Sequence, residues 1–129
     1  MSSGSPGPGG AFTASAVTTH VLDTARGQPA AGVGVRLEFV PDDGQPDGRP
    51  AELGRSVTDA DGRARDVGPA TLRPGIYRLV FDTGAYFAGQ GSKPAFFPEV
   101  AVTFRVDGES RYHVPLLLSP FAYSTYRGS

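Results

Sequence analysis

The stretch "RYHVPLLLSPFAYSTYRGS", Arg111 to Ser129, reads as a hydrophobic strand, a prolyl corner and a second strand running to the last residue. Successive side chains of a strand point to opposite faces. Over 111–118, one face therefore carries Tyr112, Val114, Leu116 and Leu118, and the other His113, Pro115 and Leu117. Near the other end, "TASAVTTHVLD" (13–23) sets Val17, Thr19 and Val21 against Thr18, His20 and Leu22. A sheet with one wet face should alternate cleanly between apolar and polar residues. These two segments are fairly apolar on both faces, which predicts a second cover, most simply another subunit. Each also holds one of the only two histidines in the chain.

Working outward, the rest of the chain is short alternating segments separated by Gly, Pro and Asp. "GVRLEFV" (34–40) sets Val35, Leu37 and Phe39 against Arg36 and Glu38, the pattern of a half-buried strand. "ELGRSVTD" (52–59), "GIYRLVFD" (75–82) and "FPEVAVTFRV" (97–106) extend the series, and the final segment is "FAYSTYRG" (121–128). Only "TGAYFAGQ" (83–90) invites a helix, of about two turns. Seven or eight strands at such spacing predict an all-β sandwich.

Composition narrows the function classes. The 129 residues suffice for one domain with a real core, and a net charge of −1 gives no basic footprint for nucleic acid. Apolar runs are too short to cross a bilayer, so a soluble chain without membrane association is expected. The lack of cysteine excludes disulfides, thiolate nucleophiles and thiolate metal sites. "MSSGSPGPGG" has neither the basic nor the apolar region of a secretory signal, and cytoplasmic localisation is the expectation. Residues 1–11 read as a flexible Gly/Ser/Pro-rich leader, and 12–129 as the folded domain.

The reactive inventory is small. Imidazole is the default proton carrier near neutrality, which singles out His20 and His113. A lone strand histidine is more often structural than catalytic; two on one sheet surface would shift that balance. In "DADGR" (59–63), Asp59, Asp61 and Gly62 resemble the start of a calcium loop, but its remaining acidic positions are missing. The segment is a turn in which Gly62 supplies positive φ, and Arg63 follows it on a short rigid loop. No metal site, phosphate loop or dinucleotide fingerprint is present in the sequence.

"THVLD", "TDADGR", "GIYRLVFDTGAYF", "FFPEV" and "YHVPLLLSPFAYSTYRGS" together resemble the 5-hydroxyisourate hydrolases, the transthyretin-related proteins of purine catabolism. The resemblance runs from about residue 13 to 129, and the terminal "YRGS" is its most specific part, since transthyretin shares the fold without that tetrapeptide. The resemblance implies a transthyretin-like β-sandwich of two four-stranded sheets with one short helix. It further implies a homotetramer, a dimer of dimers with active sites where dimers meet, and no cofactor. On the family pattern His20, Arg63 and His113 are catalytic; His20 and Arg63 also bind substrate, together with Tyr126, Arg127, Gly128 and Ser129. Gly128 would leave room for a planar ring. The substrate implied is 5-hydroxyisourate, and which histidine is the general base stays open at this point. A carrier of small hydrophobic ligands, as transthyretin is, would not need the histidines, the arginine and "YRGS" at once. An adhesion module would be a monomer indifferent to loss of its histidines.

Overall fold

Strict alternation makes Val35 and Leu37 one face of a strand and Arg36 and Glu38 the other, and the computed structural model folds Gly34–Val40 in that way. It describes residues 15–41, 49–91, 94–109 and 111–129. The leader expected over 1–11 lies outside the described residues. In chain order the elements are β1 (Val17–Asp23), β2 (Gln28–Pro29), β3 (Gly34–Val40), β4 (Ala51–Val57), β5 (Arg63–Ala64) and β6 (Gly75–Phe81). Then come α1 (Thr83–Gly89), β7 (Val100–Val106), β8 (Tyr112–His113), β9 (Leu116–Leu118) and β10 (Tyr123–Thr125).

One sheet has the order β4-β3-β6-β7, antiparallel throughout, with Leu37 opposite Leu79 and Leu79 opposite Val102. The second is built on β1. Along one flank β8 and β9 pair with it in parallel, Val17 opposite Tyr112 and Val21 opposite Leu116. That register is the same before and after the gap, so β8 and β9 are one strand interrupted at Val114 and Pro115, where proline offers no N–H to the ladder. On the other flank lie β2 and β5, and β10 pairs antiparallel with β9. Six segments thus occupy four strand positions, which reconciles the expected four-stranded sheet with the six-stranded one observed.

The inner faces meet in a core of Val17, Val21, Leu37, Tyr77, Leu79, Phe81, Leu116 and Leu118, all essentially buried. Strand parity follows the sequence: Tyr112, Val114, Leu116 and Leu118 are buried, whereas His113 and Leu117 are half-buried on the outer face. The helix begins where expected, and Asp82 caps it by accepting a hydrogen bond from the Ala85 N–H. It ends at Gly89, with Tyr86 and Phe87 turned inward. Two elements have no counterpart in the sequence reading, the two-residue strands β2 and β5.

Among the described residues one carboxylate is buried, Asp23, only 1% exposed at the end of β1. The Tyr86 hydroxyl donates to its Oδ2 at 2.7 Å, and the Arg26 N–H donates to Oδ1 at 3.0 Å. Burial, reinforced by the Asp23 charge, pushes the Tyr86 phenol up to about 12. The bond ties the helix to the strand that carries His20. Tyr86→Phe strips a donor from a buried carboxylate, and should cost about 1–3 kcal/mol. Thermal denaturation would show this as a midpoint several degrees lower; an unchanged midpoint would mean the phenol contributes nothing to the fold.

Candidate active site

Four outward-facing residues of the second sheet are brought together by strand register alone. Thr18 of β1 is the parallel partner of His113 in β8, and His20 is the antiparallel partner of Arg63 in β5. Residues paired across a ladder share a face. Thr18 and His20, two apart on β1, therefore share theirs with His113 and Arg63. The tail adds a fifth residue. It runs antiparallel along the far side of 113–118, pairing Leu116 with Thr125 and, in the same register, His113 with Gly128.

Arg63 is held by its turn. Gly62 has φ 78°, and a Cβ there would run into the Val21 carbonyl oxygen, so the turn needs glycine on both counts. The Asp59 carboxylate accepts the N–H groups of Asp61 at 2.9 Å and Arg63 at 3.0 Å. These bonds, that from Arg63 first, hold the Asp59 carboxyl below the usual carboxylate range. The segment expected to be a turn is one, and its rigidity fixes where β5 begins.

The histidines differ in what holds them. His20 points its Nε2 at the Asp61 carbonyl oxygen, 2.8 Å away. A carbonyl only accepts, so Nε2 carries a proton. His113 instead places Nδ1 2.8 Å from the Thr18 hydroxyl, a group able to donate or accept. Burial, then the charges of Arg63 and His20, lower the His113 pKa from the ordinary 6.5, against a smaller opposing effect from Thr18. Its imidazole is therefore neutral at pH 7.

Gly128 donates its N–H to the His113 carbonyl at 2.8 Å. A Cβ on Gly128 would stand 2.6 Å from Cδ2 of the imidazole. The space that a side chain at 128 would take is occupied by the His113 ring, whereas the sequence reading has glycine leave room for a planar ring in the site.

A cleft of about 640 Å³ opens over this arrangement, and His113, Thr18, Arg63, Arg127, Gly128 and Ser129 are among the residues lining it. His20 stands outside the lining, beside Arg63. Tyr126 is 58% exposed and lines a different hollow, against Val102, Phe104 and Val114. Arg127 borders both hollows, its guanidinium 5.0 Å from the centre of the Tyr112 ring and donating to Glu109 at 2.8 Å. The structure thus gathers His113, Arg63, Gly128, Arg127 and Ser129, sets His20 at their edge, and places Tyr126 apart. Sequence reasoning missed Thr18, although its place two residues before His20 was enough to put both on one face. It also missed Arg65 and Arg111, which line the cleft. Among the described residues, no three His, Asp or Glu side chains gather where they could hold a metal ion.

Comparison with known proteins identifies the family and the fold. A family profile described as "HIUase/Transthyretin family" matches residues 17–128. The 5-hydroxyisourate hydrolase of Caulobacter vibrioides is 50% identical over 120 residues, covering 89% of this chain and 99% of that protein. The 5-hydroxyisourate hydrolase of Mus musculus is 45% identical over 121 residues, covering 92% and 99%. Among solved structures, Klebsiella pneumoniae 5-hydroxyisourate hydrolase superposes with a TM-score of 0.74 at 36% identity, over 92% of this chain and 100% of that one. Sea bream transthyretin in complex with thyroxine gives 0.77 at 32% identity, over 88% and 94%. With its fold and nearly its whole length matched, the chain belongs to the HIUase/Transthyretin family.

Proposed function

We propose that the protein is a hydrolase of 5-hydroxyisourate in urate degradation, forming 2-oxo-4-hydroxy-4-carboxy-5-ureidoimidazoline at sites between the subunits of a homotetramer. The observation that carries this reading is the meeting of a neutral histidine, His113, with the Arg63 guanidinium in one cleft. A carrier of hydrophobic ligands has no use for that pair. The sandwich itself does not choose, because it superposes almost equally on a hydrolase and on a transthyretin.

The substrate is a planar anion with a reactive ring carbonyl, so hydrolysis needs an activated water, a cation for the developing oxyanion and an acid for the leaving nitrogen. His113 is the base: it lines the cleft, and its Nε2 has no hydrogen-bond partner among the described residues. Nε2 takes a proton from water while the water oxygen bonds to the carbonyl carbon. The carbonyl electron pair moves onto oxygen, where Arg63 offsets the charge. The adduct then expels the ring nitrogen, which receives the proton from the His113 imidazolium. Water is added across one C–N bond and the base is restored, with no redox step. The burial and the Arg63 charge that keep His113 neutral also make its imidazolium a readier acid in the second half. His20, its Nε2–H committed to Asp61, orients the substrate beside Arg63.

The outer face supports assembly. Leu22 and Leu117 are only half-buried there, and Phe121 is 75% exposed at the corner that follows β9. Burying this face against a second copy would complete a cleft that one chain leaves open.

The direct test follows the ultraviolet absorbance of 5-hydroxyisourate made in place from urate by urate oxidase. Wild type should speed its decay beyond the unaided rate, run as a tetramer in light scattering, and lose about 10²–10⁴-fold in His113→Ala and about 10²-fold or more in Arg63→Ala. Decay at the unaided rate from a tetrameric wild type would end the hydrolase reading and favour the carrier.

A pH profile follows from the lowered His113 pKa. The base works when neutral, so the acid limb of kcat/KM should lie below pH 6.5. The same group makes the fold lose stability as pH falls beneath 6.5, since the unfolded chain takes up the proton first. Arg63→Gln removes a cation that disfavours the imidazolium and should move the His113 NMR titration up toward 6.5; no movement would remove Arg63 as a cause.

Gly128→Ala must displace the imidazole, because its new methyl overlaps Cδ2. A folded variant should lose about 10- to 100-fold in kcat, and undiminished turnover would show that the ring has freedom this geometry denies.

A further inference from the structure

Resting on the hydrolase reading above, we propose that Thr18 is a positioning residue for His113, its Oγ1 accepting the Nδ1–H and thereby leaving Nε2 as the nitrogen that faces the cleft. An activated base is commonly oriented by a third group hydrogen-bonded to its far side. Thr18 stands in that place: it is the register partner of His113, shares its face, and holds Nδ1 at 2.8 Å.

The neighbouring threonine shows that the hydroxyl at 18 is not redundant. Thr19 points to the opposite face, is 1% exposed, and donates to the Val114 carbonyl at 2.6 Å, where Pro115 interrupts the strand. "TTH" therefore divides the work: Thr19 secures the broken strand, and Thr18 secures the imidazole. The side chain suits the role, because a β-branched residue in a strand has few χ1 choices and keeps its hydroxyl aimed. A flip of the ring would carry Nδ1 away from Thr18 and lose that bond. A carboxylate in place of Thr18 would hold the ring equally well but would stabilise the imidazolium, weakening its acid role when the ring nitrogen leaves. A neutral hydroxyl orients without that cost. His20 has no such latitude, since its Nε2 partner is a carbonyl that can only accept.

The test combines ¹⁵N NMR of the His113 imidazole in the ligand-free protein with steady-state kinetics. Thr18→Val keeps the shape and strand preference while removing the hydroxyl. It should shift His113 from the Nδ1–H toward the Nε2–H form and lower kcat about 10- to 100-fold, with KM within about threefold of wild type. Thr18→Ser should restore both. If the valine variant does not assemble, Thr18→Ala carries the same readouts. An unchanged tautomer, or a full kcat in a variant lacking the hydroxyl, would overturn the role of Thr18. The spectrum needs no substrate, so a wild type that fails to hydrolyse 5-hydroxyisourate would instead sink the functional reading.

Discussion

The parallel pairing of β1 with the 112–118 strand is the constraint on which the rest depends. It joins segments 95 residues apart, Val17 to Tyr112 and Leu117 to Leu22, and it sets Thr18 beside His113 on one face. Such pairing closes a long loop before any contact rewards it. It is stabilised by two inner faces that bury Val17, Val21, Leu116 and Leu118 together. Pro115 weakens the ladder in its middle, and hydroxyls repair the break: Thr19 donates to the Val114 carbonyl, and Thr125 to that of Pro115 at 2.7 Å. The second of these comes from the returning tail, so the repair of the strand also fixes the path that brings Gly128 to His113.

Electrostatics then turns a scaffold into a site. An imidazole partly out of water and beside the Arg63 guanidinium disfavours its charged form, which suits a base that must be neutral at pH 7. Arg63 thereby has two effects from one position, lowering the basicity of His113 and offering a guanidinium to an anion. The turn behind it explains why the position is reproducible. Asp59 grips two N–H groups of the turn, and Gly62 is pressed so closely on β1 that only glycine fits.

Much of the sandwich was legible because its strands obey period two. Gly34–Val40 has the bounds its alternation indicates, and the parity of 112–118 correctly separates buried Tyr112 and Leu116 from half-buried His113 and Leu117. What escaped was whatever depends on partners distant in sequence. The strands β2 and β5 are two residues each, too short for any period, and exist only because β1 lies beside them. Nothing local says that Thr18 meets His113 or that Gly128 packs on its ring, since both follow from register. The resemblance placed Tyr126 at the site with the rest of "YRGS", whereas an extended chain points neighbours to opposite faces, and its side chain borders another hollow.

A fold shared by hydrolases and transthyretins must keep its chemistry out of its core. Here the division is visible along single strands. On β1, alternate residues Val17, Thr19 and Val21 build the interior, while Thr18 and His20 between them face the site. Inner-face changes are limited by packing, in which a lost methylene leaves a void. Outer-face changes are limited only by what the cleft must hold. Two proteins can therefore keep the same sandwich, strand for strand, and differ in function through a handful of outward residues whose spacing the register has already set. The closeness of His113 and Gly128 is the sharpest instance. The ladder brings those two positions together whatever occupies them, and only a histidine opposite a glycine makes of that contact a held imidazole.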